Sequence, residues 1–179
     1  LTNIAGVYSN KVATYNKALE YFLRSYKLSR VIKDDYLIGV SSGNLGEIYY
    51  KMNDDSTALV YLNESARAFE GTEDLPYADN YIGRVYTHRK EFDKAIQKHM
   101  QAYELSKKLD TRLDVAQSLI GLAQAYYAKG DIGLSIDAYK RSIEYSIPLN
   151  ATAELKDAYQ GLAESYKKQK DFANAFRYH

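Results

Sequence analysis

A tyrosine recurs at the end of the same five-residue pattern about every 40 residues along the chain. Residues 45–49, 82–86, 122–126 and 162–166 each begin with a large apolar residue, continue with a small one and end with tyrosine, and Ile4-Ala5-Gly6-Val7-Tyr8 gives a fifth copy. The successive tyrosines Tyr8, Tyr49, Tyr86, Tyr126 and Tyr166 are 41, 37, 40 and 40 residues apart. A fixed period of this length is the signature of a repeat architecture, in which each repeat forms one supersecondary unit.

A second small residue follows each tyrosine after nine or ten positions, and a large apolar residue comes directly after it. The small residues are Ala18, Ala58, Ala95, Ser135 and Ala175, and the apolar residues are Leu19, Leu59, Ile96, Ile136 and Phe176. Turn-forming pairs stand between the two parts of the repeat at Asn53-Asp54, Lys90-Glu91, Gly130-Asp131 and Lys170-Asp171. Glycine suits the left-handed end of a helix, and Asp131 can cap the helix that follows. Each repeat is therefore predicted to contain two helices joined by a short turn.

The spacing of apolar residues within 110–149 agrees with two helices. Leu119, Leu122, Ala123 and Tyr126 fall on one stripe of a 3.6-residue helix. Ile132, Ser135, Ile136, Tyr139 and Ile143 form a second stripe beyond the turn. Pro148 is expected to end or kink the second helix before Asn150, because helical geometry is disfavoured for the residue before a proline.

Composition excludes several classes of protein. The 24 basic and 23 acidic residues give a net charge of +1, which offers no electrostatic case for binding nucleic acid or an anionic membrane. The absence of cysteine excludes disulfides, thiolate metal sites and cysteine nucleophiles. No apolar run approaches the ~20 residues needed to span a bilayer. The chain has only two prolines and ten glycines, too few turn-forming residues for the many turns of an all-β fold.

The small residues have a physical role in a stack of helix hairpins. Alanine or glycine at a helix crossing lets two backbones approach closely, and the tyrosine one turn later covers the crossing. A single hairpin cannot bury its apolar face alone, so neighbouring hairpins must stack. We therefore predict one all-α array over 1–179. Its repeats are 1–33 (first helix truncated), 34–71, 72–109, 110–149 and 150–179 (second helix truncated).

These residues resemble the tetratricopeptide repeat: the small residue, the tyrosine three positions on and the alanine beyond the turn. The resemblance covers essentially the whole chain, but the period is about 40 residues rather than the usual ~34. The longer variety is similar to repeats of bacterial regulatory proteins, including peptide-pheromone receptors and sensor domains, and to scaffolds of eukaryotic polarity complexes. The resemblance implies a right-handed α-α superhelix, a solenoid whose concave groove holds a protein or peptide.

Helical geometry gives each first helix a second stripe beside its core stripe, which in tetratricopeptide-like stacks lines the groove. We call this second stripe and its border residues the groove stripe. Its candidate binding residues are Glu47, Tyr50, Lys51, Tyr77, Asn80, Arg84, His88, Gln117, Gln124, Tyr127, Gln160 and Glu164. Amides can pair with the backbone of an extended peptide, and Arg84 can take a carboxylate. The alternative is that these residues are ordinary solvated positions on the first helices.

Two glycines and one histidine leave alternatives open. Gly121 and Gly161 occupy the same position in successive repeats and either open the groove wall for a ligand backbone or permit tight packing against the preceding helix. His99 lies four residues after Ala95, where other repeats have Phe22, Leu62 and Tyr139. It is predicted to fill a semi-buried packing slot rather than to act in catalysis.

No catalytic or cofactor motif is present. The three histidines lie outside any His-Glu-x-x-His arrangement, and no glycine-rich loop between strand and helix is available to cradle phosphate. We therefore expect no enzyme activity, no cofactor and no metal. A hydrolase that uses His88 is kept only as a remote alternative.

The sequence thus leads to a binding scaffold, part of a larger regulatory protein, whose partner is a protein or peptide and not nucleic acid or a membrane interior. The alternative function is a sensor domain that responds to a peptide ahead of a kinase, cyclase or DNA-binding module. A lesser alternative is self-association through the terminal repeats, where Ile4 and Phe176 suggest uncovered apolar faces. The cytoplasm is the default location, and the periplasm is the alternative for a segment of a membrane-anchored sensor.

Overall fold

The computed structural model describes Tyr8 and residues 12–179. In this part of the chain the secondary structure is helical, with no strand. Nine α-helices follow one another over the described range: α1 (Tyr15–Ile32), α2 (Asp35–Lys51), α3 (Asp55–Ala68), α4 (Leu75–His88), α5 (Phe92–Lys108), α6 (Arg112–Lys129), α7 (Ile132–Ser146), α8 (Thr152–Lys168) and α9 (Phe172–Tyr178). Short 3₁₀ helices cover Val12–Thr14 and Ile147–Leu149. The all-α expectation is confirmed.

The chain forms two compact units, Leu1–Val85 and Tyr86–His179, and their boundary falls within α4. We refer to them as the N-terminal unit and the C-terminal unit. In the N-terminal unit α2 packs against α1 and α3, and in the C-terminal unit each helix from α5 to α8 packs against the next one along the chain. The division into five repeats at the boundaries given above stays a prediction.

The N-terminal unit is built on close packing of α2 against α1 and α3. Leu45 and Ile48 of α2 are fully buried against Ala18 and Phe22 of α1. The small residue of this repeat, Gly46, lies directly against Leu62, and a Cβ built on Gly46 would come within 2.7 Å of the Leu62 Cδ2. The expected role of a small residue at the helix crossing is confirmed here.

The C-terminal unit continues the same arrangement through α5, α6, α7, α8 and α9. In addition, α6 contacts α8, so the first helices of successive repeats touch each other as well as their own partners. Leu119 and Ala123 of α6 and Leu162 of α8 are fully or almost fully buried in one apolar core. The buried stripe of each first helix therefore serves two neighbours at once.

Tyrosines at the end of the five-residue pattern pack against the second helix of the same repeat. The rings of Tyr49 and Tyr61 are stacked with centroids 5.6 Å apart, and those of Tyr166 and Tyr178 with centroids 5.8 Å apart. Tyr8 stacks on Tyr21 in the same way at 6.0 Å. Residues 4–7 of the first pattern lie outside the described residues.

Each predicted turn contains one residue in the left-handed region. These residues are Asn53 (φ 61°), Lys90 (φ 61°), Gly130 (φ 102°) and Lys170 (φ 64°). The helix breaks are confirmed at all four places, and only Gly130 has the residue type that this conformation favours. The helix end predicted near Pro148 is confirmed as well, because α7 ends at Ser146 and Pro148 lies in the 3₁₀ helix that follows.

The prediction that Asp131 caps the next helix is wrong, because its side chain accepts no hydrogen bond from the first turn of α7. Its carboxylate instead lies 3.8 Å from the Lys129 ammonium group. Capping does occur at the equivalent positions Asp54 and Asp171, which accept from the backbone N–H groups of Thr57 and Asn174.

Candidate functional site

The predicted groove-stripe residues all lie on the four first helices that the structure describes. They are Glu47, Tyr50 and Lys51 on α2, Tyr77, Asn80, Arg84 and His88 on α4, Gln117, Gln124 and Tyr127 on α6, and Gln160 and Glu164 on α8. The stripe residues from Glu47 to Arg84 belong to the N-terminal unit, and those from His88 onward to the C-terminal unit.

In the N-terminal unit the stripe is organised around the Glu47 carboxylate. The Tyr77 hydroxyl donates a hydrogen bond to Glu47 Oε2 at 3.0 Å, which joins α4 to α2. Lys51, one turn further along α2, places its Nζ 2.6 Å from Glu47 Oε1. Both oxygens of Glu47 therefore have a partner, and the carboxylate is held in a fixed position.

Tyr81, which the sequence analysis did not select, lies at the centre of the same group. Its ring centroid is 5.0 Å from that of Tyr77 and 6.5 Å from that of Tyr50, which meets it edge-on. The Arg84 guanidinium lies over the Tyr81 ring, 4.9 Å from its centroid. The spacing of 77, 81 and 84 along one helix face is the signal that could have identified Tyr81.

Burial and the nearby negative charge of Glu47 raise the pKa of both Tyr77 and Tyr81 above the usual tyrosine value. A buried phenolate would lose hydration and would face a carboxylate. Both side chains therefore stay neutral hydrogen-bond donors at physiological pH.

A recess of about 270 Å³ opens beside this group. It is lined by Val40, Asn44 and Glu47 of α2, Phe69 and Asp74 from the connection between α3 and α4, and Tyr77 of α4. Glu47 and Tyr77 are candidate binding residues of the groove stripe, and Val40 lies on the same face of α2, two turns before Glu47. Asn44, Phe69 and Asp74 were missed, because their place in the recess depends on the path of the chain between helices.

In the C-terminal unit the stripe links α6 to α8 through polar contacts. Gln117 donates from Nε2 to Glu154 Oε1 at 2.8 Å. Lys168 lies 4.5 Å from the centroid of the Tyr127 ring and donates to the Tyr127 backbone carbonyl at 3.4 Å. Gln117 and Tyr127 therefore hold neighbouring first helices together in addition to facing the stripe.

Gln124, Gln160 and Glu164 are exposed on the same unit. Gln160 and Glu164 line a second recess, of about 440 Å³, together with Tyr159 on α8 and Tyr178 on α9. This recess joins two aromatic rings to an amide and a carboxylate, a mixture suited to a peptide segment that has both apolar and polar groups.

Helical geometry places the residue three positions before the small residue of each five-residue pattern on the groove stripe. Some of these residues are less accessible to solvent than that geometry predicts. Asn80 is 5% exposed and Ile120 is 3% exposed, whereas Gln160 at the equivalent place on α8 is exposed. For Ile120 the reason is the contact of α6 with α8. His88, at the end of α4, is exposed.

At each of the two aligned glycines, a ring from the preceding helix occupies the space that a larger side chain would take. A Cβ built on Gly121 would come within 2.8 Å of His99 Nε2, and one on Gly161 would come within 2.6 Å of Tyr139 Cε1. The packing interpretation of these glycines therefore holds. His99 is 1% exposed, so the prediction of a semi-buried slot is wrong: the space that Gly121 leaves allows the ring to enter completely.

Over the residues that the structure describes, no three His, Cys, Asp or Glu side chains come together to hold a metal ion. None of the described helices combines the length and the apolar character that crossing a bilayer requires.

The comparisons with known proteins concern the family and the fold. A family model described as tetratricopeptide repeat matches residues 1–71 and 74–146, well over half of the chain. A search of curated protein sequences gives no match.

Several solved structures are similar to this chain at low sequence identity, and this likeness shows the fold alone. A Rap protein complexed with competence and sporulation factor has a TM-score of 0.86 at 16% identity, over 97% of this chain and 49% of its own. The aspartyl phosphate phosphatase F of Bacillus subtilis has a TM-score of 0.80 at 17% identity, over 90% of this chain and 43% of its own. A signal transduction ATPase with numerous domains and a tetratricopeptide repeat sensor, from Pyrococcus horikoshii, has a TM-score of 0.78 at 17% identity, over 99% of this chain and 28% of its own. The chain thus spans less than half the length of each of these three proteins, and its fold is that of tetratricopeptide-like solenoids.

Proposed function

Because the chain belongs to the tetratricopeptide repeat family, we propose that it is a non-catalytic scaffold that binds a protein or peptide on the groove stripe of its first helices. The observation that supports this most directly is the position of two of the recesses in the described part of the chain. One lies in each compact unit, and groove-stripe residues line both: Glu47 and Tyr77 in the first, Gln160 and Glu164 in the second. Other recesses, beside Arg67 and beside Tyr145, lie off the stripe.

The chemistry of the stripe suits recognition of a peptide rather than its conversion. Exposed amides at Gln124 and Gln160 can donate to and accept from a peptide backbone. Aromatic rings at Tyr50, Tyr77 and Tyr127 are half-buried and offer apolar surface at low entropic cost. Their fixed positions, held by contacts between helices, reduce the ordering that binding would require.

The test begins with selection of random dodecapeptides displayed on phage against the 179-residue chain. The dissociation constant of the most enriched synthetic peptide is then measured for Gln124→Ala, Gln160→Ala and Arg84→Glu variants. We expect at least one of these changes to weaken binding by about tenfold, the effect of removing one important interface side chain. Asn80→Ala is left out, because Asn80 is buried and its loss would test folding instead.

Matched controls place the same changes on second helices. Gln97→Ala on α5 and Arg67→Glu on α3 alter exposed side chains outside the stripe. These variants should bind the peptide as the wild-type chain does. Equal losses in the stripe and control variants, or the absence of any enriched peptide, would contradict the proposal.

A regulatory sensor is the second candidate function, and the likeness of the fold to a tetratricopeptide repeat sensor and to a Rap protein complexed with competence and sporulation factor favours it. The full gene around this segment would distinguish a sensor from a free-standing scaffold. A kinase, cyclase or DNA-binding module encoded next to it would support the sensor.

A further inference from the structure

Charge is unevenly distributed along the chain although the total is close to zero. Residues 34–85 contain ten acidic and three basic residues, a net charge of −7, within a chain whose net charge is +1. This segment forms α2, α3 and most of α4 in the N-terminal unit. Residues 1–33 of the same unit contain six basic residues and one acidic residue, so the unit as a whole has a net charge of −2 and its negative charge is concentrated in 34–85. Within that segment the surface favours a positively charged group of a partner.

The recess of the N-terminal unit contains a carboxylate that has no basic partner among the described residues. Asp74 is half-buried and precedes α4, where its backbone N–H donates to Thr72 Oγ1 at 3.3 Å and its carbonyl accepts from Tyr77 at 3.1 Å. Among the described residues, no basic side chain pairs with the Asp74 carboxylate. Glu47 differs, because Lys51 and Tyr77 already occupy its oxygens.

The other walls of the recess suit the rest of a basic side chain. Val40 and Tyr77 are half-buried and supply apolar and aromatic surface, whereas Phe69 is only 3% exposed. The methylene stems of lysine and arginine pack on apolar surface while their charged ends reach a polar group. The face of an aromatic ring also attracts a cation.

The first helices α6 and α8 of the C-terminal unit do not carry the same pair of residues as α2 at the positions of Glu47 and Val40. Counted from the small residue of each repeat, Gln124 stands where α2 has Glu47, and Gln117 stands where it has Val40. On α8 these positions hold Glu164 and Asp157, and the Glu164 carboxylate lies 3.7 Å from the Lys167 ammonium group. A cation site in the recess of the N-terminal unit therefore depends on Asp74 and not on the residue at the Glu47 position.

From the net charge, the uncompensated Asp74 carboxylate and the apolar walls, we infer that this recess accepts a lysine or arginine side chain of the bound peptide. The inference rests on the proposed function and specifies the chemistry of the partner. The Asp74 carboxylate binds the charged end, and Val40 and the Tyr77 ring contact the stem.

The experiment combines changes in peptide and protein. The peptide is the most enriched dodecapeptide from the phage selection, compared with a version in which its basic residue is glutamine. The protein variants are Asp74→Asn, which removes the charge in the recess, and Glu73→Gln, which removes the same charge from the exposed neighbouring residue. Glu47→Gln is not used, because it would release Lys51 from its ion pair.

We expect the change in the peptide to weaken binding by about tenfold for the wild-type chain and for Glu73→Gln, as for loss of a charged hydrogen bond. For Asp74→Asn the two peptides should bind within about twofold of each other. Thermal unfolding of both variants is recorded to show that they fold like the wild-type chain.

The inference is overturned if the enriched peptides contain no lysine or arginine, or if Asp74→Asn and Glu73→Gln give the same result. If such peptides still depend on Gln124 or Gln160, the proposed binding function stands and only the recess is excluded. If no peptide is enriched, both proposals fail.

Discussion

At the scale of single residues, the contact between rings and glycines in the C-terminal unit defines how closely successive helices approach. His99 of α5 and Tyr139 of α7 each place a ring on the surface of a glycine in the helix that follows, Gly121 and Gly161. Glycine in a helix interior costs roughly 1 kcal/mol relative to alanine. The packing of a buried ring offsets this cost, since both rings are at most 4% exposed.

Gly161→Ala should lower the free energy of unfolding by about 1–3 kcal/mol, because the added methyl group overlaps the Tyr139 ring and the core is overpacked. Chemical denaturation measures the change. Gly133→Ala is the control, since a Cβ at Gly133 meets nothing within 4 Å and should leave stability unchanged or raise it by up to about 1 kcal/mol. In a Tyr139→Leu background the cost of Gly161→Ala should shrink, and an undiminished cost there would show that the ring is not its cause.

At the scale of elements, the hairpin turns share one left-handed residue but differ in how the following helix begins. Asp54 and Asp171 accept hydrogen bonds from the first turns of α3 and α9, whereas Asp131 makes no such bond to α7. Hydrogen bonds from the side chain and then from the backbone N–H of Thr57 lower the pKa of Asp54. The charged form of Asp54 therefore stabilises the beginning of α3.

Asp54→Ala should lower the melting temperature at pH 7 more than Asp131→Ala does, because only Asp54 caps a helix. A carboxyl group with a lowered folded pKa adds stability above its unfolded pKa of about 4, and this stability disappears as the pH falls through the folded value. The difference between wild type and Asp54→Ala should accordingly shrink below about pH 4. Thermal melts by circular dichroism from pH 3 to 7 test this, and a difference independent of pH would contradict the role of the charge.

The helices and their turns could be predicted from the sequence because apolar spacing and turn residues act locally. The second tyrosine of each stacked pair, such as Tyr61 or Tyr178, was not predicted, because its role appears only when two helices are placed side by side. Whether Asp131 caps a helix was also beyond the local pattern, since the neighbouring Lys129 competes for its carboxylate.

At the scale of the whole molecule, the groove stripe is a pattern on individual helices, but accessibility is decided by neighbouring helices. Exposure of Gln124 and Gln160 follows the helical geometry, while burial of Ile120 follows the contact of α6 with α8. The recess of the N-terminal unit takes residues from two helices and the connection between α3 and α4. No periodicity in one helix encodes that combination, and Asp74 was missed for this reason.

Exposed apolar side chains on α9 suggest self-association of the 179-residue chain. Phe172 is 67% exposed and Phe176 is 87% exposed. We expect the mass from light scattering to rise with concentration, and the double change Phe172→Ser and Phe176→Ser to reduce that rise, because burial of these rings would drive association. Val60→Ser on α3, at a side chain 65% exposed, is the control and should have little effect. A constant monomer mass at all concentrations would exclude association through this face.

The ring-and-glycine contacts also limit which helix hairpins can be exchanged within such an array, in evolution or by design. His99 and Gly121 belong to different hairpins, as do Tyr139 and Gly161, so each contact is divided between an upstream donor and a downstream acceptor. A hairpin transplanted in place of α6 and α7 must therefore bring glycine at this site on its first helix and a ring of matching size on its second; α2 and α4 have Asn44 and Tyr81 at this site and do not follow the rule. The unit that has to be kept together is the contact between the second helix of one hairpin and the first helix of the next. If only one side of that contact is exchanged, the ring either overlaps a side chain or leaves a cavity.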